Sequence, residues 1–245
     1  MNPILMIPAR MAATRLPAKP LADIGGRPMI VRVWERAVAA RLGPVLVAAG
    51  EPQIVAAVTA AGGKAVLTDP DLPSGSDRIW AALRKADPDG AHDVVINLQG
   101  DLPALDPGQL RAVAGLLADT AADIATLAAP IDAEADRANP AIVKAVVAWN
   151  AEETRGRALY FTRSPAPSGP GPLWHHVGLY AYHRAALARF VALPPSPLEQ
   201  REKLEQLRAL EAGMAIWVAR VDEAPLSVDT PADLARARKL LGGTA

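Results

Sequence analysis

A chain of 245 residues, 51% of them hydrophobic, is long enough to bury a substantial core. Its 26 basic and 26 acidic side chains cancel, which excludes the basic excess expected of a general nucleic-acid or membrane-surface binder. With no cysteine, disulfides, thiolate nucleophiles and cysteine-ligated metals are excluded. The four histidines, His92, His175, His176 and His183, form no HExxH or HxxxH pair for zinc.

The chain opens on an apolar run, Ile4-Leu5-Met6-Ile7, that reads as a buried strand. It passes into a loop carrying Arg10, Arg15 and Lys19, stiffened by Pro8, Pro17 and Pro20. Ligands bind where strands give way to loops at the carboxyl edge of an open α/β sheet. Arginine forks and a lysine point charge suit phosphate oxygens there, and a solvated basic loop would show the same spacing. After a Gly25-Gly26 turn, apolar residues at helical spacing predict a helix over 29–40. Strands over 45–49 and 64–67 flank a helix over 52–61 that Gly62-Gly63 stops. This alternation predicts a parallel, doubly wound sheet.

Ser74-Gly75-Ser76-Asp77-Arg78 precedes a periodic helix from Ile79. Such a turn can offer backbone N–H groups to an anion or serve as an ordinary N-cap. Residues 94–98 read as a central strand covered on both faces, and Gln99-Gly100-Asp101 ends it on the rim that carries the basic loop. A carboxylate beside phosphate-binding cations suits Mg²⁺, and Asp101 also fits a plain turn before Pro103. Further on, a helix is predicted over 109–117, strands over 124–131, 143–147, 158–163, 176–182 and 216–219, and helices over 196–210 and 232–241. Residues 164–172 form a Pro/Gly/Ser-rich loop, and Asp229 stands where it could cap the last helix. Neither GxGxxG after the first strand nor GxxxxGK[ST] anywhere is present, which disfavours dinucleotide folds and P-loop NTPases. No apolar run approaches the roughly 20 residues that span a bilayer, and a strand directly after Met1 leaves no room for a signal peptide. The expectation is a soluble, cytoplasmic protein.

Pro8-Ala9-Arg10 with Thr14-Arg15-Leu16-Pro17-Ala18-Lys19-Pro20-Leu21 resembles the nucleotide loop of sugar-acid cytidylyltransferases. Ser74-Gly75-Ser76-Asp77-Arg78, Gln99-Gly100-Asp101, Ala158-Leu159-Tyr160-Phe161, the strand from His176 to Tyr182, Pro195-Ser196-Pro197-Leu198-Glu199 with Leu204-Glu205-Gln206-Leu207-Arg208, and Val228-Asp229-Thr230-Pro231 follow in the order of the family members that activate 3-deoxy-manno-octulosonate (Kdo). The resemblance runs from Met6 to Arg236. It implies a three-layer, doubly wound α/β fold of the nucleotide-diphospho-sugar transferase type, with a mostly parallel, mixed sheet. It further implies one domain over 1–245, with about 140–193 contributing a smaller sugar-binding and dimerisation element to a homodimer.

The implied reaction joins CTP and Kdo into CMP-Kdo and pyrophosphate for lipopolysaccharide synthesis. Transfer of this kind needs alignment and charge neutralisation rather than a covalent protein nucleophile. By matching position, Arg10, Arg15 and Lys19 would hold the triphosphate. Pro8, Ala9, Ser74, Gly75, Arg78 and Gln99 would line the nucleotide site. Asp101 and Asp229 would hold Mg²⁺, and Arg163, His176, Tyr180, Glu205 and Gln206 the sugar acid. The chain departs from the family at Ala13, where serine is usual, at Leu102, where glutamate is common, and in a shortened stretch between Arg163 and His176. Competing readings are a cytidylyltransferase for sialic acid or 8-amino-Kdo, and a nucleotide-binding protein that has lost catalysis. A sugar-phosphate pyrophosphorylase would want a further cation cluster, which the C-terminal half lacks.

Overall fold

The strand–helix alternation of the first hundred residues is present in the computed structural model, which describes residues 1–12 and 15–242. The chain divides into two compact units, Met1–Arg111 with Pro225–Ala245, and Ala112–Ala224. In the first unit β1 (Pro3–Ala9), α1 (Met29–Ala39), β2 (Val45–Ala49), α2 (Pro52–Ala60), β3 (Lys64–Leu67), α3 (Gly75–Ala86) and β4 (Val94–Asn97) follow in turn, and α4 (Pro107–Asp119) begins. β1 pairs in parallel with β2 on one side and β4 on the other, and β3 lies beyond β2. Successive residues of β1 and β4 are buried, so both faces of these strands are covered, which is why they read as unbroken apolar runs. α1 turns Met29, Ile30, Val33 and Ala37 inward at the spacing of one helix face.

The first three strands build outward in the order β1, β2, β3, and β4 then joins the opposite side of β1. That reversal opens a crevice at the carboxyl ends of β1 and β4, the position where open parallel sheets hold ligands.

The second unit contains β5 (Ile124–Pro130), α5 (Glu134–Arg137), β6 (Lys144–Trp149), β7 (Arg155–Thr162), β8 (Trp174–His183), α6 (Arg184–Ala192), α7 (Pro197–Glu202), α8 (Leu207–Glu211) and β9 (Ile216–Arg220). β5 runs parallel to β9 and antiparallel to β8, and β7 is antiparallel to both β9 and β6. The α/β fold with a mixed sheet is as expected, and its antiparallel pairings gather in this unit. α9 (Pro231–Gly242) belongs to the first unit, where Leu234, Ala237 and Val228 pack with Ile24 and Met29. Among the described residues no helix is long and apolar enough to cross a membrane.

Four elements differ from expectation, among them α5, a four-residue helix with no predicted counterpart. The single helix predicted over 196–210 is two, because Lys203 takes the left-handed conformation (φ 58°) and ends α7. The bend is held by Glu199, which accepts from Arg208 Nε at 2.8 Å across it. α3 begins at Gly75, not Ile79, since Ser74 already caps it. α6 has no predicted counterpart: its alanines favour a helix by propensity rather than by pattern.

Candidate functional site

A cavity of about 270 Å³ opens in the first unit where the carboxyl ends of β1 and β4 lie, bordered by Pro8, Ala9, Arg10, Gly75, Gln99 and Asp101 among others. The turn after β4 lies close against the end of β1. A Cβ on Gly100 would stand 2.7 Å from the Pro8 carbonyl oxygen, so only glycine permits the approach. Ser74 Oγ accepts the Asp77 N–H at 3.1 Å and donates to Asp77 Oδ2 at 2.7 Å. The N-cap reading of Ser74 therefore holds, and the cap brings the start of α3, with its partial positive charge, to the cavity border.

Arg78 borders the same cavity but is only 2% exposed. Its guanidinium donates to Thr68 Oγ1 (2.7 Å), the Asp69 carbonyl (2.8 Å) and the Pro70 carbonyl (3.0 Å). Burial, with the like charge of Arg10, lowers its pKa against the pull of Glu51 and Asp69. Arg78 thus braces the 68–70 segment, while Arg10 is exposed at the cavity.

Ala18 takes a left-handed conformation (φ 54°) that starts a tight turn over Lys19–Leu21. From it Lys19 Nζ reaches Asp101 Oδ2 at 2.9 Å and Asp229 Oδ1 at 3.0 Å. Arg15 Nη2 stands 3.4 Å from the same Asp229 oxygen. Asp229 is brought there by its neighbour: Val228 is fully buried and donates its N–H to the Asp101 carbonyl at 2.9 Å. Burying a valine side chain contributes about 1.5–3 kcal/mol, enough to hold the segment in register. The cap of α9 is made by Thr230 and Asp233, Thr230 Oγ1 donating to Asp233 Oδ2 at 2.7 Å and accepting the Asp233 N–H at 3.2 Å. The Asp229 carboxylate is thereby left to the cations rather than to the helix.

Burial opposes the charge on Lys19, but attraction and hydrogen bonds from Asp101 and Asp229 outweigh it and hold its pKa above the ordinary value. Burial pushes the Asp101 carboxyl up, and Lys19 pulls against it. One cation can touch both carboxylates at once, as the ammonium does. Among the described residues no group of three or more acidic or histidine side chains forms a cage of its own. Such a donor set fits Mg²⁺, which takes one or two carboxylates and fills its remaining positions with phosphate oxygens and water.

The second unit holds the other predicted residues. His176 is 7% exposed, and its Nε2 lies 3.0 Å from Thr126 Oγ1, which also lies 3.1 and 2.9 Å from the Val177 and Leu179 carbonyls. The hydroxyl proton goes to a carbonyl, so Thr126 accepts from Nε2–H and Nδ1 is left as an acceptor. Burial, with the neighbouring His175, depresses the His176 pKa to about 3, keeping the ring neutral. The ring packs against Phe161 (4.7 Å between centroids) and Tyr180 (5.5 Å). Burial pushes the Tyr180 phenol well above its ordinary value, with Tyr182 and Glu205 adding to the effect.

Gln206 is 6% exposed, and its amide Nε2 has no hydrogen-bond partner among the described residues. Glu205 and Gln206 sit in the bend between α7 and α8 rather than on a helix face. Arg163 directs Nε to the Glu202 carbonyl (2.8 Å), Nη1 to the Pro140 carbonyl (3.0 Å) and Nη2 to the Lys203 carbonyl (3.3 Å). Three of its five N–H groups therefore tie the backbone, including the bend that carries Gln206.

Sequence reasoning missed Thr126, Lys144 and Asn97. Lys144 is fully buried and donates to the Asn139 carbonyl at 2.7 Å, and Asn97, 1% exposed, has no partner for Nδ2 among the described residues. Each carries the same signal, a lone polar residue inside an apolar strand. Leu102 is buried at 5% exposure, so the glutamate common at that place would here be a desolvated carboxylate. Ala13 and Thr14 lie outside the described residues.

A cytidylyltransferase family model matches residues 4–216. A 3-deoxy-manno-octulosonate cytidylyltransferase of Parvibaculum lavamentivorans is 64% identical over 240 residues, 98% of this chain and 93% of the relative. One of Rhodospirillum rubrum is 63% identical over 241 residues, 98% and 96% of the respective chains. A solved structure of CMP:2-keto-3-deoxy-manno-octonic acid synthetase complexed with CTP superposes with a TM-score of 0.91 at 40% identity, covering 100% of both chains. A nucleotidyl transferase from Methanothermobacter thermautotrophicus shares the fold at a TM-score of 0.67 and 16% identity.

Proposed function

The chain belongs to the cytidylyltransferase family, and from that premise we propose that it transfers CMP from CTP to the anomeric 2-hydroxyl of Kdo, releasing pyrophosphate. The observation that carries the reading is the convergence of Asp101 and Asp229 on one cation position, with Asp101 and the exposed Arg10 bordering a cavity at the sheet's switch point. Arg10 and Arg15 supply planar forks for the triphosphate and stabilise the negative charge that builds on the departing pyrophosphate. The start of α3 adds backbone dipole at the same place. Mg²⁺, held by Asp101 and Asp229, would neutralise charge at the α-phosphate and orient the attacking hydroxyl. The reaction is in-line displacement, so the protein's work is to align and neutralise, with no covalent intermediate on a side chain.

The sugar acid falls to hydrogen-bonding groups of the second unit, of which His176, Tyr180 and Gln206 are neutral. His176 Nδ1 accepts from a hydroxyl, Gln206 Nε2 donates to one, and Tyr180 and Glu205 complete the set. High relative identity to Kdo enzymes supports Kdo over other sugar acids. The wider setting follows from the same reading: a homodimer in the cytoplasm, with residues of about 140–193 contributing to its contact, supplying CMP-Kdo for lipopolysaccharide synthesis.

Pyrophosphate release from CTP and Mg²⁺ with Kdo, 8-amino-Kdo, sialic acid or no sugar tests this directly. Release with Kdo is expected. Release with sialic acid or 8-amino-Kdo in its place would keep the transfer and overturn the sugar assignment. Saturable CTP binding with no release from any sugar would leave a nucleotide-binding protein without catalysis.

A further inference from the structure

Lys19 is placed for more than phosphate contact. Its ammonium bridges the two carboxylates assigned to the metal, at 2.9 Å from Asp101 Oδ2 and 3.0 Å from Asp229 Oδ1, and only 18% of the side chain is exposed. Arg15 adds a second cation 3.4 Å from the same Asp229 oxygen. Two carboxylates and two cations already balance. A magnesium ion bound to these oxygens would stand about 2.0–2.1 Å from each, inside the space that the ammonium fills. Bringing a dication so close to an ammonium in a half-buried site is strongly repulsive. The metal and Lys19 are therefore alternatives, not neighbours.

We infer that Lys19 is the resident counter-ion of the Asp101–Asp229 pair, and that a divalent cation enters only as Lys19 transfers to the incoming triphosphate. Lysine suits the exchange, being a compact point charge on a flexible stem. The nucleotide brings negative charge for Lys19 to pair with and the phosphate oxygens that two carboxylates alone cannot replace around a metal. Nucleotide and metal are thereby coupled in binding: neither carboxylate pair nor ammonium is left without an opposite charge at any stage. This rests on the reading of Asp101 and Asp229 as metal ligands, and the test separates the two.

Mn²⁺ titration followed by water-proton relaxation enhancement reports metal tumbling with the protein and distinguishes it from metal bound to free CTP. The nucleotide-free wild-type protein is expected to hold Mn²⁺ weakly. Lys19→Met should bind it roughly tenfold tighter or more, the usual scale of coupling between two ligands of one site. Lys19→Arg should bind as weakly as the wild type, and Lys19→Met combined with Asp229→Asn should lose the gain. Lys19→Gln serves in place of Lys19→Met if the latter does not fold. Equal Mn²⁺ affinity in wild type and Lys19→Met without nucleotide would overturn the counter-ion role. No enhancement in any protein even with CTP present would overturn the metal assignment itself.

Discussion

The two units use charge in opposite ways. In the first, Lys19 and Arg15 meet carboxylates at the sheet rim, Arg10 is exposed beside the cavity, and one cation position is shared by two acids. In the second, cations are turned to architecture: Arg163 ties three carbonyls and Lys144 ties another, while three of the groups left for a ligand, His176, Tyr180 and Gln206, are neutral. His176 is held neutral, Tyr180 keeps its proton, and Gln206 presents an amide Nε2 with no partner among the described residues. A triphosphate and a leaving pyrophosphate need charge neutralised as it develops. A polyhydroxylated sugar needs fixed donors and acceptors, which a rigid, partly dry surround makes selective.

The carboxylates should show this contrast most strongly. Asp101→Asn and Asp229→Asn are each expected to lower turnover roughly 10³-fold or more, with melting near that of the wild type. Steady-state pyrophosphate release and circular dichroism measure both, and near-normal turnover in either variant would remove the metal clamp.

Gln206→Met should act on the sugar alone, weakening Kdo by about 1–3 kcal/mol, roughly five- to 150-fold in KM, at constant KM for CTP. Because the change removes a buried donor that has no partner among the described residues, the variant should also melt higher than the wild type. A loss of sugar affinity together with a loss of stability would instead mark Gln206 as part of the framework.

Arg163→Lys tests whether the second unit's cations are architectural. A lysine cannot span three carbonyls, so a stability loss of about 1–3 kcal/mol in urea unfolding is expected, with KM for CTP unaffected. Unchanged stability with a raised KM for Kdo would return Arg163 to direct sugar contact.

A further test of the second unit concerns pH. The folded His176 pKa lies at about 3 against an ordinary value of 6.5. Above 6.5 both states are neutral, and its contribution to stability is fully present. As pH falls towards 3 the unfolded chain takes up a proton that the folded one refuses, so stability falls by up to about 1.4 kcal/mol per pH unit. Urea midpoints for His176→Asn between about pH 6 and pH 4 should show a correspondingly flatter slope. An unchanged slope would mean that water reaches the ring.

The parallel strands of the first unit were legible because a strand covered on both faces leaves an unbroken apolar run, as in Ile4-Leu5-Met6-Ile7 and residues 94–98. The candidate site was legible where chemistry and punctuation coincide: Arg10 and Lys19 among prolines, Gln99-Gly100-Asp101 at a strand end. The bend at Lys203 escaped, since a left-handed lysine has no sequence signal when the force that bends the chain is the Glu199–Arg208 pair.

What the sequence determined by itself is thus local: periodicity, turn chemistry, and the supply of cations and acids along the first and last stretches. Three assignments needed the folded chain. Asp229 serves the cations because Thr230 and Asp233 cap α9 and Val228 docks on the Asp101 backbone. Arg78 and Arg163, equal to Arg10 as letters, are turned inward onto carbonyls. Lys19 joins two acids separated from it by 82 and 210 positions. A charge's role depends on what it is buried against, and that is decided by contacts between distant parts of the chain, which no local pattern encodes.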